Sequence, residues 1–263
     1  MSVALLNGQP AGADDLRALA LVNYGHFTSL QVRDHAAQGL ELHRQRLLAG
    51  TRELFGTGLD FDSVRAQMRA AVADTPDCTL RVTVFSRSFD YRRPSEDYAP
   101  DVLVSLSPAS PPRTLPLTVK SFDFLRPLPQ IKHVGTFPLF HYRRQAIASG
   151  FDDALFADGT GLVSEGSIWN IGFWSQGGVV WPEAPALRGT AERLIQAGLE
   201  RQGVGQQVRP VSLAELAGFE GAFACNAGGI QPIAKIDETP FPAAYEGMAR
   251  LRAAIAAPLW EAL

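Results

Sequence analysis

The stretch that decides the fold reads Asp158-Gly-Thr-Gly-Leu-Val-Ser-Glu165-Gly-Ser-Ile-Trp-Asn170-Ile-Gly-Phe-Trp174. It places one carboxylate, Glu165, among small and apolar residues where a Gly-rich turn enters an apolar strand. A buried carboxylate needs a partner, because taking an unpaired charge out of water is costly. A protonated pyridine nitrogen is one such partner, and a capping role in a surface turn is the alternative.

Upstream of this stretch, Lys132 lies between apolar neighbours in Pro129-Gln-Ile-Lys-His-Val134. The chain has only three lysines, the others being Lys120 and Lys235, beside 21 arginines. A lysine that loses hydration in such surroundings gives up its proton more easily, which suits a lysine that forms a Schiff base. The alternative is a lysine whose ammonium group reaches the surface.

Three further segments carry groups that can bind an anion. Gly189-Thr190-Ala191 places a glycine turn directly before a helix, where free N–H groups and the helix dipole favour negative charge. Arg46 offers a planar guanidinium on a helix. Asn226 begins a loop of small residues through which the backbone can approach an anion closely. An ordinary helix start, a solvated arginine and a plain turn are the respective alternatives.

Periodicity and turn residues predict the elements that surround these segments. The proline-rich Ser107–Pro116 segment marks a boundary, because four prolines in ten residues cannot continue a helix or a central strand. It divides the chain into domains over 1–112 and 113–263. The other predictions that bear on the fold are a hairpin turn at Asn7-Gly8, a strand over Leu19–Val22, and helices over Gly39–Phe55, Thr190–Gln202 and Ala243–Leu263.

Composition and short motifs argue against several classes of protein. The net charge of −3 argues against a nucleic-acid binder led by electrostatics. No apolar run approaches the length of a membrane span, and the start lacks the pattern of a signal peptide. Two distant cysteines make neither a disulfide framework nor a zinc site, and the histidines form no metal-binding pair. We therefore expect a cytoplasmic protein without a bound metal.

Together these segments resemble the fold-type-IV pyridoxal-phosphate enzymes. That family comprises class IV aminotransferases such as branched-chain and D-amino-acid aminotransferases, and 4-amino-4-deoxychorismate lyases. The resemblance rests on Asp158 to Asn170, His43-x-x-Arg46-Leu and the loop from Asn226 to Pro232. It implies a homodimer and a two-domain, D-amino-acid-aminotransferase-like α/β (α+β) fold. In that fold a small N-terminal α/β domain precedes a larger C-terminal domain, which has a barrel-like sheet and carries the cofactor lysine.

The resemblance also implies roles for individual residues. Pyridoxal 5'-phosphate is the expected cofactor, with Lys132 as the lysine that forms the aldimine and shuttles the proton. Glu165 is expected to pair with the pyridinium nitrogen, and Asn170 to order the site behind it. The residues expected to hold the phosphate are Arg46, Gly189, Thr190, Ala191 and Asn226.

Three functions remain open at this level. The first is an aminotransferase that moves an amino group between a small amino acid and a 2-oxo acid. The second is a 4-amino-4-deoxychorismate lyase that releases pyruvate and 4-aminobenzoate, since the Cys225-Asn226-Ala loop is closer to the lyase pattern. The third is a family member that binds a ligand without turnover. Arg81, Arg87 and Arg113 are equal candidates for the arginine that binds the substrate carboxylate.

Overall fold

A computed structural model describes residues 4–111 and 114–263, which group by their contacts into two units. The first unit runs to Pro111 and also contains Ile131–Gly135 and Leu259–Leu263, and the second contains the other described residues. The expected boundary between residues 112 and 113 lies outside the described residues. The segment that carries Lys132 groups with the first unit, and the division into domains stays a prediction.

The first unit is built on a five-stranded antiparallel sheet with the strand order β2-β1-β6-β5-β3. Two helices, α2 and α3, bury leucine, valine and methionine side chains against one face of this sheet. The elements in chain order are β1 (Ala4–Leu6), β2 (Gln9–Pro10), α1 (Ala13–Val22), β3 (Gly25–Val32), β4 (Ala36–Gln38), α2 (Leu40–Phe55), α3 (Phe61–Val72), β5 (Cys78–Phe85) and β6 (Asp101–Pro108).

Two predictions for the first unit have opposite outcomes. The hairpin turn between β1 and β2 is confirmed, with Asn7 and Gly8 both at positive φ, as this tight turn requires. The predicted strand over Leu19–Val22 is wrong, because these residues form the last turn of α1. The helix forms because Leu16 and Leu19, one turn apart, pack against the apolar cluster of Leu6, Phe85 and Leu103.

The second unit contains a nine-stranded mixed sheet with the order β12-β11-β10-β13-β14-β7-β8-β9, and β15 pairs with β14. The elements in chain order are β7 (Leu117–Asp123), α4 (Phe137–Ala148), β8 (Asp153–Ala157), β9 (Val163–Gly166), β10 (Asn170–Ser175), β11 (Gly178–Pro182), α5 (Thr190–Arg201), β12 (Gln206–Arg209), a 3₁₀ helix (Leu213–Gly218), β13 (Gly221–Asn226), β14 (Gly229–Ile236), β15 (Thr239–Pro240) and α6 (Glu246–Ala256).

This sheet curls until its two ends meet. Val163 of β9 donates its N–H to the carbonyl of Val211, just after β12, at 2.8 Å. Leu213 donates in the same way to Gly161 at 2.9 Å. One apolar cluster fills the inside of the curl, and a second cluster lies under α5 and α6. The expected barrel-like sheet is confirmed.

The C-terminal residues do not continue the last helix. The predicted helix over Ala243–Leu263 is wrong at both ends, since α6 spans Glu246–Ala256 and Pro258 follows it. The chain then forms β16 (Trp260–Ala262), which pairs with β4 of the first unit. Among residues 4–111 and 114–263, no helix is both long and apolar enough to cross a membrane.

Candidate functional site

Lys132 lies in a short extended segment that adds to the outer edge of β3. Phe27 donates its N–H to the carbonyl of Lys132 at 2.8 Å, and Val134 donates to the carbonyl of Gly25 at 2.9 Å. These two bonds flank His133 and fix the backbone from the carbonyl of Lys132 onward. The Lys132 ammonium nitrogen lies 5.0 Å from the centroid of the Phe27 ring, within the range of a cation–π contact.

Buried histidines connect β3 to α2 close to this lysine. The side chain of Thr28 hydrogen-bonds Nδ1 of His43 at 2.6 Å, and His43 precedes Arg46 by almost one helical turn. Burial, aided by the positive charges of Arg46 and Lys132, lowers the pKa of His43 to about 3. The imidazole is therefore neutral at physiological pH, and the two expected cofactor-binding cations both lie within electrostatic reach of it.

Glu165 forms a buried ion pair with an arginine that the sequence analysis did not single out. Nε of Arg126 donates to Oε1 of Glu165 at 3.0 Å, and each side chain is only 4% exposed. The backbone N–H of Leu187 donates to Oε2 at 3.3 Å. The alternative of a surface turn cap is wrong, because the carboxylate is buried and forms an ion pair with a guanidinium.

Asn170 binds the backbone carbonyl of Leu187, the residue whose N–H binds Glu165. Its amide Nδ2 donates to the carbonyl of Leu187 at 2.7 Å, so Glu165 and Asn170 hold both polar groups of Leu187. A Cβ atom at Gly189 would clash with Oδ1 of Asn170. The glycine is therefore required for the backbone to pass this close, and Asn170 fixes the approach to α5.

The first turn of α5 presents backbone donors in a buried setting. Thr190 and Ala191 are buried, and N–H groups in the first turn of a helix have no intrahelical acceptor. Gly189 donates its own N–H to Oε2 of Glu192 at 3.2 Å. Burial raises the pKa of Glu192, and the nearby charge of Arg188, 2.7 Å from Oε1, opposes that rise.

The side chain of Asn226 bonds within its own loop and also reaches the segment that precedes β10. Oδ1 accepts from the N–H of Gly228 at 2.8 Å, and Nδ2 donates to the carbonyl of Ile168 at 3.3 Å. Because Asn170 pairs with Cys225 across β10 and β13, this loop lies next to the start of β10. The second unit thus brings Glu165, Asn170 and Asn226 to one end of the sheet, where they offer an anionic acceptor beside backbone donors.

The three candidate arginines for the substrate carboxylate are not equivalent. Arg87 forms ion pairs with Asp15 and Asp101 at 2.7 and 3.1 Å, and Arg113 lies outside the described residues. Arg81 has its guanidinium carbon 3.6 Å from the centroid of the Phe27 ring, which Lys132 also contacts. Arg81 is therefore the candidate that shares a contact with the lysine.

Arg126 could have been found by the criterion that selected Lys132. It lies in Phe124-Leu-Arg126-Pro, a charged residue with apolar neighbours, but it is one of 21 arginines. Because arginine is so common in this chain, the charge of one arginine gives no reason to select it. The contacts through Leu187 could not be anticipated, because they use its backbone and not its side chain.

Residues 25–236 match a family model described as amino-transferase class IV. No curated protein sequence matches the chain significantly.

Solved structures share the fold along nearly the whole chain. The branched-chain amino acid aminotransferase of Escherichia coli is 18% identical with a TM-score of 0.81, covering 95% of this chain and 91% of that one. The PLP-bound form of a hypothetical aminotransferase from Mycobacterium tuberculosis is 21% identical with a TM-score of 0.80, covering 98% and 99%. The 4-amino-4-deoxychorismate lyase of Pseudomonas aeruginosa is 25% identical with a TM-score of 0.76, covering 94% and 96%. The expected fold is confirmed.

Proposed function

Because the chain belongs to the class IV aminotransferase family, we propose that it transfers an amino group between a small amino acid and a 2-oxo acid, with Lys132 as the catalytic residue. Membership of this family confirms that the protein is a pyridoxal-phosphate-dependent enzyme and that pyridoxal phosphate is its cofactor. The observation that carries the proposal is the position of Lys132. Its own carbonyl and the N–H of Val134 hold this segment on β3, and the charges of Lys132 and Arg46 both act on the buried His43.

The residues present fit the chemical groups of pyridoxal phosphate. The phosphate matches the buried N–H groups of Thr190 and Ala191, together with the guanidinium of Arg46. The protonated ring nitrogen matches the carboxylate of Glu165, which forms a buried ion pair with Arg126. Gly189 lets the backbone approach closely, Asn170 fixes its path, and Asn226 shapes the second phosphate loop.

The proposed mechanism assigns each residue a task. Pyridoxal phosphate, when bound, supplies a carbonyl carbon for the substrate amine and a ring that withdraws electrons from the substrate α-carbon. Lys132 takes the proton from that α-carbon and returns it, acting as a general base and then as a general acid. Glu165 keeps the ring nitrogen protonated, which requires that the carboxylate itself stays ionised.

Arg81 is the residue we assign to the substrate carboxylate. Its guanidinium stacks on Phe27, and its Nε donates to Thr83 at 3.1 Å, which sets its orientation. A planar guanidinium can bind a carboxylate through two parallel hydrogen bonds. Arg87 is less suited, because two aspartates already neutralise it.

The lyase is the second candidate, and the Asn226 loop favours it. The loop has the Cys225-Asn226-Ala pattern that resembles the lyases, and the side chain of Asn226 closes it through Gly228. Transfer and elimination require the same first proton removal by Lys132, so the products must discriminate between them. Release of pyruvate and 4-aminobenzoate from 4-amino-4-deoxychorismate would support the lyase. Conversion of a 2-oxo acid into its amino acid would support the transferase.

A homodimer in a reducing cytoplasm completes the proposal. Phe137, Phe140 and Ile147 lie along α4 with exposed fractions of 76%, 50% and 55%, and such a row is typical of a protein interface. Both cysteines, Cys78 and Cys225, are free and buried. Light scattering should give twice the chain mass, and Phe140→Asp should lower it to that of one chain.

The absorption spectrum with added pyridoxal phosphate tests the assignment of Lys132. Wild type should develop a visible band that Lys132→Ala lacks. Lys235→Ala is the matched control, because Lys235 is partly exposed and pairs with Glu238 at the surface. A band retained by Lys132→Ala would show that another lysine binds the cofactor, and its absence from wild type would overturn the proposed enzyme.

A further inference from the structure

Asp153 is a buried carboxylate apart from the proposed cofactor-binding residues. It begins β8 and is 2% exposed, and its Oδ1 accepts a hydrogen bond from Oγ of Ser167 at 2.5 Å. Ser167 is fully buried as well. The distance is at the short end of the range for a hydroxyl that donates to a carboxylate, which is the stronger class of hydrogen bond. The contact therefore offsets part of the cost of burying this carboxylate.

Ser167 occupies the turn that connects β9 to β10. It follows Glu165 by two residues and precedes Asn170 by three. Its N–H donates to the carbonyl of Ala154 at 3.1 Å, and its hydroxyl donates to Asp153, the preceding residue of the same strand. Strand β8 therefore binds both the backbone and the side chain of Ser167, and these two bonds set the position of the turn.

The turn is also closed tightly on itself. Gly166 donates its N–H to the carbonyl of Trp169 at 2.8 Å, and a Cβ atom at Gly166 would overlap the Trp169 ring. Because the turn is short and closed in this way, a displacement of Ser167 must move the residues on either side of it. Those residues include the carboxylate and the amide that bind the backbone of Leu187.

The other contacts of Asp153 lie away from the turn. Oδ1 also accepts from the N–H of Ala154 at 2.8 Å, within its own strand. Oδ2 lies 3.5 Å from Nε of Arg143 on α4, a separation at which the attraction is electrostatic and not a well-formed hydrogen bond. Arg143 therefore balances the charge of the carboxylate from one side, while the hydroxyl of Ser167 links it to the turn.

We propose that Asp153 is a positioning residue for the cofactor and acts through Ser167. By fixing the turn, the pair sets where the carboxylate of Glu165 lies relative to the ring nitrogen. This inference rests on the proposed function, which supplies that nitrogen. A small displacement of Glu165 is sufficient to matter, because N–H···O hydrogen bonds are confined to donor–acceptor distances of about 2.7–3.2 Å.

Ser167→Ala tests the link between β8 and the turn. It removes the hydroxyl that binds Asp153 and changes the side-chain volume little. Pyridoxal phosphate should bind about tenfold more weakly in an absorption titration, the change expected for the loss of one hydrogen bond to a charged group. Ser164→Ala is the matched control, because Ser164 is also buried and also bonds to β8, at the carbonyl of Phe156, but lies outside the turn. Its affinity should remain that of wild type.

An analogue of the cofactor separates positioning from a general loss of structure. In 1-deazapyridoxal 5'-phosphate a carbon atom replaces the ring nitrogen, so Glu165 has nothing to pair with there. Ser167→Ala should therefore weaken binding of the analogue by less than about twofold, against tenfold for pyridoxal phosphate. Equal losses for the two compounds, or an unchanged affinity for pyridoxal phosphate, would overturn the inference.

A second variant keeps the test decisive if Ser167→Ala does not fold by circular dichroism. Asp153→Asn keeps the shape of the side chain and one acceptor oxygen, but it removes the charge that strengthens the bond from Ser167. It should weaken binding of pyridoxal phosphate by about threefold and leave that of the analogue unchanged. Asp152→Asn, the same change at the exposed neighbour that binds Thr118, should affect neither compound. Wild-type affinity for pyridoxal phosphate in Asp153→Asn would contradict the proposed role.

The two proposals fail in different ways. A visible band that depends on Lys132, together with equal losses for pyridoxal phosphate and its analogue, would refute the role of Asp153 and Ser167 and leave the proposed function standing. A band retained in Lys132→Ala would refute the proposed function, whatever the two affinities are.

Discussion

Replacement of Arg126 by methionine should destabilise the protein strongly while leaving its fold recognisable. The Arg126–Glu165 pair is 3.0 Å long and both side chains are 4% exposed, so water does not screen it. Methionine keeps much of the side-chain volume but leaves the Glu165 carboxylate without its guanidinium. The hydrogen bond from Leu187, at 3.3 Å, cannot replace a full positive charge.

The expected loss is about 3–5 kcal/mol in the free energy of unfolding, the cost typical of removing one partner from a buried ion pair. For a chain of this size, a loss of 3 kcal/mol alone corresponds to a fall of roughly 6–12 °C in Tm. Part of the loss should be recovered at acidic pH, because a buried carboxyl group that has lost its guanidinium takes up a proton more readily. Urea unfolding at several pH values measures both effects.

A double variant supplies the control. Arg126→Met/Glu165→Leu removes both charges, so its loss should be clearly smaller than that of Arg126→Met alone. Pyridoxal phosphate should bind more weakly to Arg126→Met, because a protonated Glu165 cannot hold the proton on the ring nitrogen. A loss below about 1 kcal/mol in Arg126→Met would show that Glu165 does not depend on Arg126.

Three further outcomes are expected. Gly189→Ala should lower the free energy of unfolding by about 1–3 kcal/mol, because the added Cβ clashes with the side chain of Asn170. The variant should also bind pyridoxal phosphate more weakly. Wild-type affinity in an absorption titration would contradict this. Folding lowers the pKa of His43 to about 3 and that of His26 to about 4, so the unfolded chain binds more protons below pH 6.5. Stability should therefore fall on acidification from about pH 6.5, by up to ~1.4 kcal/mol per pH unit for each histidine, and His43→Gln should flatten the slope in urea titrations. Asp60→Ala should cost only about 1 kcal/mol, because it removes one exposed helix cap, and cofactor affinity should not change because Asp60 is none of the proposed cofactor-binding residues.

Local signals were sufficient for some elements and not for others. Helix α5 begins at Thr190 as predicted, because its glycine turn and amphipathic spacing are local properties. The run Leu19–Val22 was misassigned, since four apolar residues do not distinguish a strand from the last turn of a helix. The pairing of β16 with β4 could not be predicted, because it joins residues from opposite ends of the chain.

The site shows the same division between local and distant information. Glu165 and Lys132 were found because each is a charged residue in an apolar stretch. Arg126 satisfies that criterion too, but its role depends on its ion pair with Glu165, which is 39 positions away in the sequence. The grouping of Lys132 with the first unit depends on backbone bonds from Phe27, which no side-chain pattern reveals.

The two hydrogen bonds to the backbone of Leu187 have a consequence for chimeric versions of this enzyme. Glu165 and Asn170 bind the backbone of Leu187, so the side chain at that position is under no pressure from either contact. The number of residues between Asn170 and Leu187 is constrained instead, because one inserted residue would place the N–H of another residue against Glu165. Recombination with a relative should succeed when the β10–β11 hairpin is exchanged at equal length and fail when a crossover changes its length.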